Sequence, residues 1–352
     1  PANDTPAAIP AGTDTRMSAQ TEVEQIVSSA QHALAAMEAL TQEQVDAVVK
    51  AMALAGVSKR LELARLAVDE TGMGVFEDKV TKNLFGTEYI YNDIKDEKTV
   101  GVIGEDEKEG MVLIADPVGV IAGITPVTNP TSTTMFKALI AMKTRNPIIF
   151  AFHPKAQQCS VMAAKTMRDA AIAAGAPLNC IQWVMNPSVE ATNELMKHPG
   201  VALILATGGS GMVKAAYSSG KPALGVGPGN VPVYIEKTAN INMAVNDIIL
   251  SKTFDNGTIC ASEQSIVVDE EIADAVLQRF ANQGAYILKP AEVKKVEALA
   301  IDQADVGQHH VVAFAPQRLD GIGERGRRVE LVALLAKPVG HRGQHLPIVV
   351  DQ

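Results

Sequence analysis

Apolar positions recur at helical spacing through residues 19–70, as in Val23, Ile26, Val27 and Ala30, and predict two or three helices in an Ala- and Glu-rich stretch. Residues 80–95 read as helical too. From 99 to 114 the pattern alternates around the charged tip Gly104-Glu105-Asp106-Glu107-Lys108-Glu109-Gly110, which predicts a β-hairpin over about 99–115. Beyond Val118, short apolar runs at 118–124, 147–152, 181–184 and 201–206 alternate with helical stretches at 132–142, 156–174, 188–197 and 211–218. Repeated strand–helix alternation predicts an α/β fold: a Rossmann-type parallel sheet with helices on both faces and ligands at the carboxyl ends of its strands. The ends of the chain depart from this order. Residues 1–16 are rich in Pro, Ala and Thr and read as a flexible leader, with Met17 a candidate natural start. In 302–352 Arg, His and Gln become common while Lys nearly disappears, so this atypical tail reads as a poorly ordered end or a frame-shifted read-through.

Composition narrows the function classes. A chain of 352 residues with 47% hydrophobic and 20% charged residues is long enough for two domains with substantial cores and reads as a soluble globular protein. The net charge of −9, without a Lys/Arg-rich run, speaks against a nucleic-acid-binding surface. Apolar runs are too short to span a bilayer, and the N-terminus shows no signal peptide. Cys159, Cys180 and Cys260 lie far apart with no CxxC pair, which predicts a reducing cytoplasm and no structural zinc. His309, His310, His341 and His345 lack metal-ligand spacing.

Candidate chemistry centres on Phe254-Asp255-Asn256-Gly257-Thr258-Ile259-Cys260-Ala261-Ser262. It places one thiol past an Asn-Gly turn signal and ahead of a possible helical turn from Ala261, whose N-terminus would favour the thiolate. A buried structural cysteine is the plainer alternative. Three further segments are candidates to join it. Ile124-Thr125-Pro126-Val127-Thr128-Asn129-Pro130 leaves a strand and enters a helix, offering backbone amides, the Asn129 amide and a helix start to a phosphate or an oxyanion, or simply capping the helix. Thr207-Gly208-Gly209-Ser210-Gly211 is a strand–helix turn without the GxGxxG spacing. Gly225-Val226-Gly227-Pro228-Gly229-Asn230 is a tight loop whose simplest reading is structural.

Together 124–133, 203–230 and 251–264 resemble the aldehyde dehydrogenase superfamily and, within it, the CoA-acylating branch. Gly72-Met73-Gly74-Val75-Phe76-Glu77 and Glu88-Tyr89-Ile90-Tyr91-Asn92 look like the aldehyde dehydrogenase half of the bifunctional aldehyde–alcohol dehydrogenases. The resemblance runs from about Met17 to about Leu299. It implies an NAD-binding domain over 17–235 and an incomplete α/β catalytic domain beginning at 236–301, in a chain truncated at its C-terminus. It further implies Cys260 as the catalytic thiol. Ile124, Thr125, Pro126, Val127, Thr128 and Asn129 then form the cofactor-contacting loop, with Asn129 or Thr128 as the oxyanion donor. Gly209 and Gly227 fall at cofactor-binding turns, and His153 at the adenosine end or at a plain surface turn. The implied activity is acetaldehyde dehydrogenase (acetylating), interconverting acetyl-CoA and acetaldehyde with NAD and coenzyme A in the cytoplasm. The implied complete protein is a homo-oligomer assembled through the hairpin.

One departure bears on chemistry. Hydrolytic members carry a glutamate base at about Gly225, whereas no carboxylate lies between Lys221 and Tyr234 here. Without a base to activate water, a thioester survives for a thiol acceptor, part of which is already thiolate near neutral pH. A hydrolytic dehydrogenase, an NAD-binding fragment without turnover and a thiol hydrolase are the competing readings.

Overall fold

The computed structural model describes residues 18–229, 231–288 and 292, with the backbone of four short strand segments within 313–350. Ser18 opens α1 (Ala19–Glu38) by accepting the Thr21 amide on its hydroxyl at 3.1 Å. Thr41 and Gln44 form a reciprocal capping box at the start of α2 (Gln42–Thr71), and Gly72, at φ 66°, ends that helix. The stretch read as helical over 80–95 is helical, as α3 (Phe76–Leu84), a π turn (Phe85–Tyr89) and α4 (Ile90–Ile94). At the π turn Gly86 meets the Ser132 carbonyl so closely that a Cβ would lie 2.8 Å from it, a tertiary contact that no local periodicity reports. The expected hairpin is β1 (Gly101–Asp106) paired antiparallel with β2 (Met111–Ala115). Its Val102, Ile103, Met111, Val112, Leu113 and Ile114 side chains are all exposed.

Five strands form the parallel sheet: β3 (Val120–Ile124), β4 (Ile148–Ala151), β5 (Ile181–Trp183), β6 (Val201–Thr207) and β7 (Ala223–Val226), in the order β5-β4-β3-β6-β7. They alternate with α5 (Pro130–Lys143), α6 (Gln157–Ala173), α7 (Val189–Lys197) and α8 (Ser210–Tyr217). β3 and β4 are buried along their whole length, as strands covered on both faces must be. On one face Ile121, Ile148 and Phe150 pack with Met52, Met135 and Met167 of α2, α5 and α6. On the other, Val120, Ala122 and Ile149 meet Val23 and Val27 of α1 and Leu195 of α7.

The chain steps from β3 outward to β4 and β5, then returns past β3 to β6 and β7. The crevice at the carboxyl ends of β3 and β6 is therefore the switch point at which such sheets bind ligands. Lys137 of α5 braces it from below. The Lys137 ammonium donates to the Ile124 carbonyl at 2.5 Å and the Leu205 carbonyl at 2.7 Å, and burial pushes its pKa down to about 7. Between that value and the ordinary lysine range the unfolded chain binds the extra proton, so this group's cost to stability is full below pH 7 and relieved as pH rises. Lys137→Met is expected to remove that gain, which amounts to at most about 1.4 kcal/mol per pH unit. Thermal denaturation of both proteins from pH 6 to 10 checks this; a stability difference independent of pH contradicts it.

A second sheet begins with β8 (Pro232–Ile235), which pairs in parallel with β9 (Ser265–Asp269). α9 (Ile241–Thr253) and α10 (Glu270–Asn282) pack on it around Ile235, Val245, Ile266 and Phe280. The backbone of Val329–Ala333 adds an antiparallel strand beside β9. The division between sheets thus falls between Val226 and Pro232. The leader over 1–16 and the histidines of the tail lie outside the described residues. Among the described residues no helix is long and apolar enough to cross a membrane, and no group of three or more His, Cys, Asp or Glu could hold a metal.

Candidate active site

The loop that carries Cys260 is held by an unusual backbone. After α9, Asp255, Asn256 and Gly257 are all left-handed, at φ 51°, 54° and 72°. Asp and Asn tolerate this region better than other side chains, yet it still needs support from its surroundings. The support is the fully buried Asp255 carboxylate. It accepts the Val75 amide at 2.7 Å, the Lys79 ammonium at 2.8 Å, the Thr258 hydroxyl at 2.6 Å and the Lys82 ammonium. The Asp255 amide in turn donates to Asp78 at 2.7 Å. Burial alone would raise the Asp255 pKa; Lys82 and Lys79 outweigh it and hold the carboxyl below the usual range. Burial, then the neighbouring Lys79, pushes the Lys82 pKa down to about 8.

The same two lysines grip the loop that follows β3. Lys79 donates to the Thr128 carbonyl at 2.9 Å, and Lys82 to Asn129 Oδ1 at 2.6 Å. An ammonium can only donate, so this contact fixes which end of the Asn129 amide is oxygen. Its Nδ2 then points to the Thr258 carbonyl at 3.3 Å and the Thr128 hydroxyl at 3.2 Å. Asn129 occupies the N-cap position of α5 without capping it with its side chain. Asn129 and the Cys260 loop, 129 residues apart between Asn129 and Thr258, are thus brought into direct contact. The glycine loop joins them: a Cβ on Gly229 would collide with the Cys260 carbonyl.

Cys260 is exposed, whereas Cys159 and Cys180 are buried. Burial pushes the Cys180 thiol up to about 11 and the Cys159 thiol still higher. The helical turn expected from Ala261 does not form. Ser262 closes a turn on the Ile259 carbonyl, and the Gln264 amide bonds the Val231 carbonyl at 2.9 Å, which draws the chain directly into β9 beside β8. Cys260 therefore follows the C-terminal end of α9, and the cations near its loop are Lys79 and Lys82 instead of a helix start.

Gly225 ends up in β7, with its amide donating to the Tyr217 hydroxyl at 3.0 Å. A Cβ there would lie 2.7 Å from both Val213 and the Tyr217 ring. Gly225→Glu is accordingly expected to cost about 1–3 kcal/mol by overpacking and to leave acid formation at background. Denaturant titration and an aldehyde assay without CoA check both; a stable variant that releases acid contradicts the steric argument.

The switch-point crevice is a cleft of about 450 Å³. Ile124, Thr125, Pro126 and Val127 line it together with Phe152, His153, Lys155, Gly208 and Gly209. Gly209 stands at the N-cap of α8 without a side chain in the way, an arrangement suited to a pyrophosphate. The Thr125 hydroxyl is buried without a hydrogen-bond partner and belongs to the cleft lining, so it is available to a polar ligand. Burial, then Lys155, lowers the His153 pKa, and the His153 Nδ1 accepts the Lys155 amide at 3.1 Å. The residues present fit a dinucleotide.

The sequence profile of the aldehyde dehydrogenase family matches residues 5–295. The chain belongs to the aldehyde dehydrogenase family. It is 55% identical to aldehyde-alcohol dehydrogenase 2 of Entamoeba histolytica over 287 residues, covering 81% of this chain and 33% of that protein. The chain thus spans about a third of the length of that curated relative. The crystal structure of an acetylating aldehyde dehydrogenase from Geobacillus thermoglucosidasius matches at 54% identity and a TM-score of 0.76, covering 80% of this chain and 62% of that one. A propionaldehyde dehydrogenase from Rhodopseudomonas palustris, solved with bound CoA and an acylated cysteine, matches at 33% identity and a TM-score of 0.69, covering 79% and 63%.

Within this aldehyde dehydrogenase fold, Lys79, Lys82 and Asp255 are the site residues that sequence reasoning missed. Lys79 and Lys82 stand three apart on α3, a spacing that on its own suggests a solvated face; only the fold reveals that both are buried.

Proposed function

We propose that the chain carries the acylating half-reaction of an acetaldehyde dehydrogenase, with Cys260 as nucleophile and Asn129 as oxyanion donor. The observation that carries this reading is an exposed thiol on a braced loop held against Asn129 and against Gly229, in a glycine segment that carries no carboxylate between Lys221 and Tyr234. The Cys260 thiolate attacks the aldehyde carbonyl, the carbonyl π pair moves onto its oxygen, and the new oxyanion accepts a hydrogen bond from the Asn129 amide N–H. NAD, when bound across the cleft, supplies the acceptor for the hydride. The thioester left on Cys260 waits for a thiol acceptor, since the segment between Lys221 and Tyr234 offers no carboxylate to activate water. Coenzyme A is that acceptor in this reading, and the reverse direction forms acetaldehyde from acetyl-CoA. The CoA and acylated cysteine bound in the Rhodopseudomonas palustris relative support it.

In the same reading Ile124 to Asn129 and Gly209 contact the dinucleotide, Gly227 faces the nicotinamide, the sheet before Pro232 forms the NAD-binding domain and the second sheet begins the catalytic domain. The exposed apolar hairpin supports assembly into a homo-oligomer, and the reduced thiols support a cytoplasmic setting. The test is NADH formation from acetaldehyde with and without CoA. Turnover that requires CoA is expected; equal turnover without CoA assigns the chain to acid formation instead.

A further inference from the structure

We infer that Lys82 is a positioning residue for acyl transfer: its ammonium orients and polarises the Asn129 amide toward the oxyanion formed on Cys260. This rests on the proposal that Cys260 takes up acyl groups. Three observations carry it. First, the 2.6 Å contact from Lys82 to Asn129 Oδ1 leaves Nδ2 as the only end of that amide facing the Cys260 loop. Second, both bonds of Nδ2, at 3.3 and 3.2 Å, are long, so an oxyanion competes readily for one of its protons. Third, Lys82 is only 7% exposed, and a cation donating to an amide oxygen in a dry site strengthens the N–H donors of the same amide.

The charged groups around Lys82 are Lys79 and Asp78 on its own helix and Asp255 from the thiol loop; the loop bearing Thr128 and Asn129 adds none. Lys79 and Lys82 share the Asp255 carboxylate, and of the two it is Lys82 that also donates to the Asn129 side chain. The Lys82 pKa of about 8 puts the loss of that charge within reach of a titration.

The experiment compares two reactions of Cys260 in the whole chain, where the other two thiols are buried. With p-nitrophenyl acetate, the thiolate adds to the ester carbonyl, the carbonyl π pair becomes an oxyanion, and its collapse expels p-nitrophenolate and leaves an acetyl thioester. With iodoacetamide, the thiolate displaces iodide and no oxyanion forms. Both rates scale with the thiolate fraction, so their ratio cancels the titration of the thiol itself. The ratio of acylation to alkylation is expected to fall above pH 8. In Lys82→Arg, which keeps its charge, it stays flat with pH. In Lys82→Met it drops about 10- to 100-fold at pH 7, less than or comparable to losing an oxyanion donor outright. A Lys82→Met ratio equal to the native one at pH 7 overturns the inference. So does a Lys82→Arg profile that falls like the native one. Neither reaction needs NAD or CoA, so a chain without dehydrogenase activity still gives the answer.

Discussion

Cys260→Ala is expected to abolish CoA-dependent NADH formation, by at least about 10³-fold, without loss of folded structure. The side chain is exposed and fills no core space, so its removal costs little stability. Neither remaining thiol can replace it. Cys159 lies under the Ala156 carbonyl and Cys180 inside the main core, and burial holds both in the thiol form at neutral pH. Turnover at fixed protein concentration, with circular dichroism on the same samples, checks the prediction. Residual turnover within tenfold of the native chain would remove Cys260 from the mechanism.

The second large effect is on stability. Asp255→Ala is expected to cost about 3–5 kcal/mol, because it leaves two buried ammonium groups, Lys79 and Lys82, without their carboxylate. Alanine at φ 51° adds backbone strain that Asp tolerates better. The loop would lose the Val75 and Thr258 bonds at the same time, so the Cys260 turn should loosen before the parallel sheet does. Denaturant midpoints measure the cost, and a loss below about 1 kcal/mol would mean that the cluster does not brace the loop.

Much of this was legible in the sequence because the parallel sheet writes its own pattern. β3 and β4 are buried on both faces, so Val120–Ile124 and Ile148–Ala151 appear as unbroken apolar runs between helical stretches. The candidate segments were legible for a related reason: Asn129, Gly209 and Cys260 all sit in turns adjoining strands or helices, where Pro, Gly and Asn punctuate the chain. What stayed hidden is long-range. The Lys79 and Lys82 bonds to Asp255 span 176 and 173 residues, and nothing local to α3 marks those lysines as buried. The turn after Cys260 was misread for the same reason. Ala261 onward has the composition of a helix start, but the Val231 carbonyl captures the Gln264 amide and draws the segment into the β8–β9 ladder. Gly225 carried a chemical message in sequence, the missing base, while its tight fit against Val213 and Tyr217 needed the fold.

The central claim is that the acyl group passes through Cys260 to a thiol and not to water. Peptide mass spectrometry after incubating the chain with acetyl-CoA tests it most directly. One acetyl group is expected, on the peptide containing Cys260, that persists in buffer and disappears when free CoA is added. An acetyl group lost equally fast without CoA, or found on other residues with Cys260 unmodified, would contradict it.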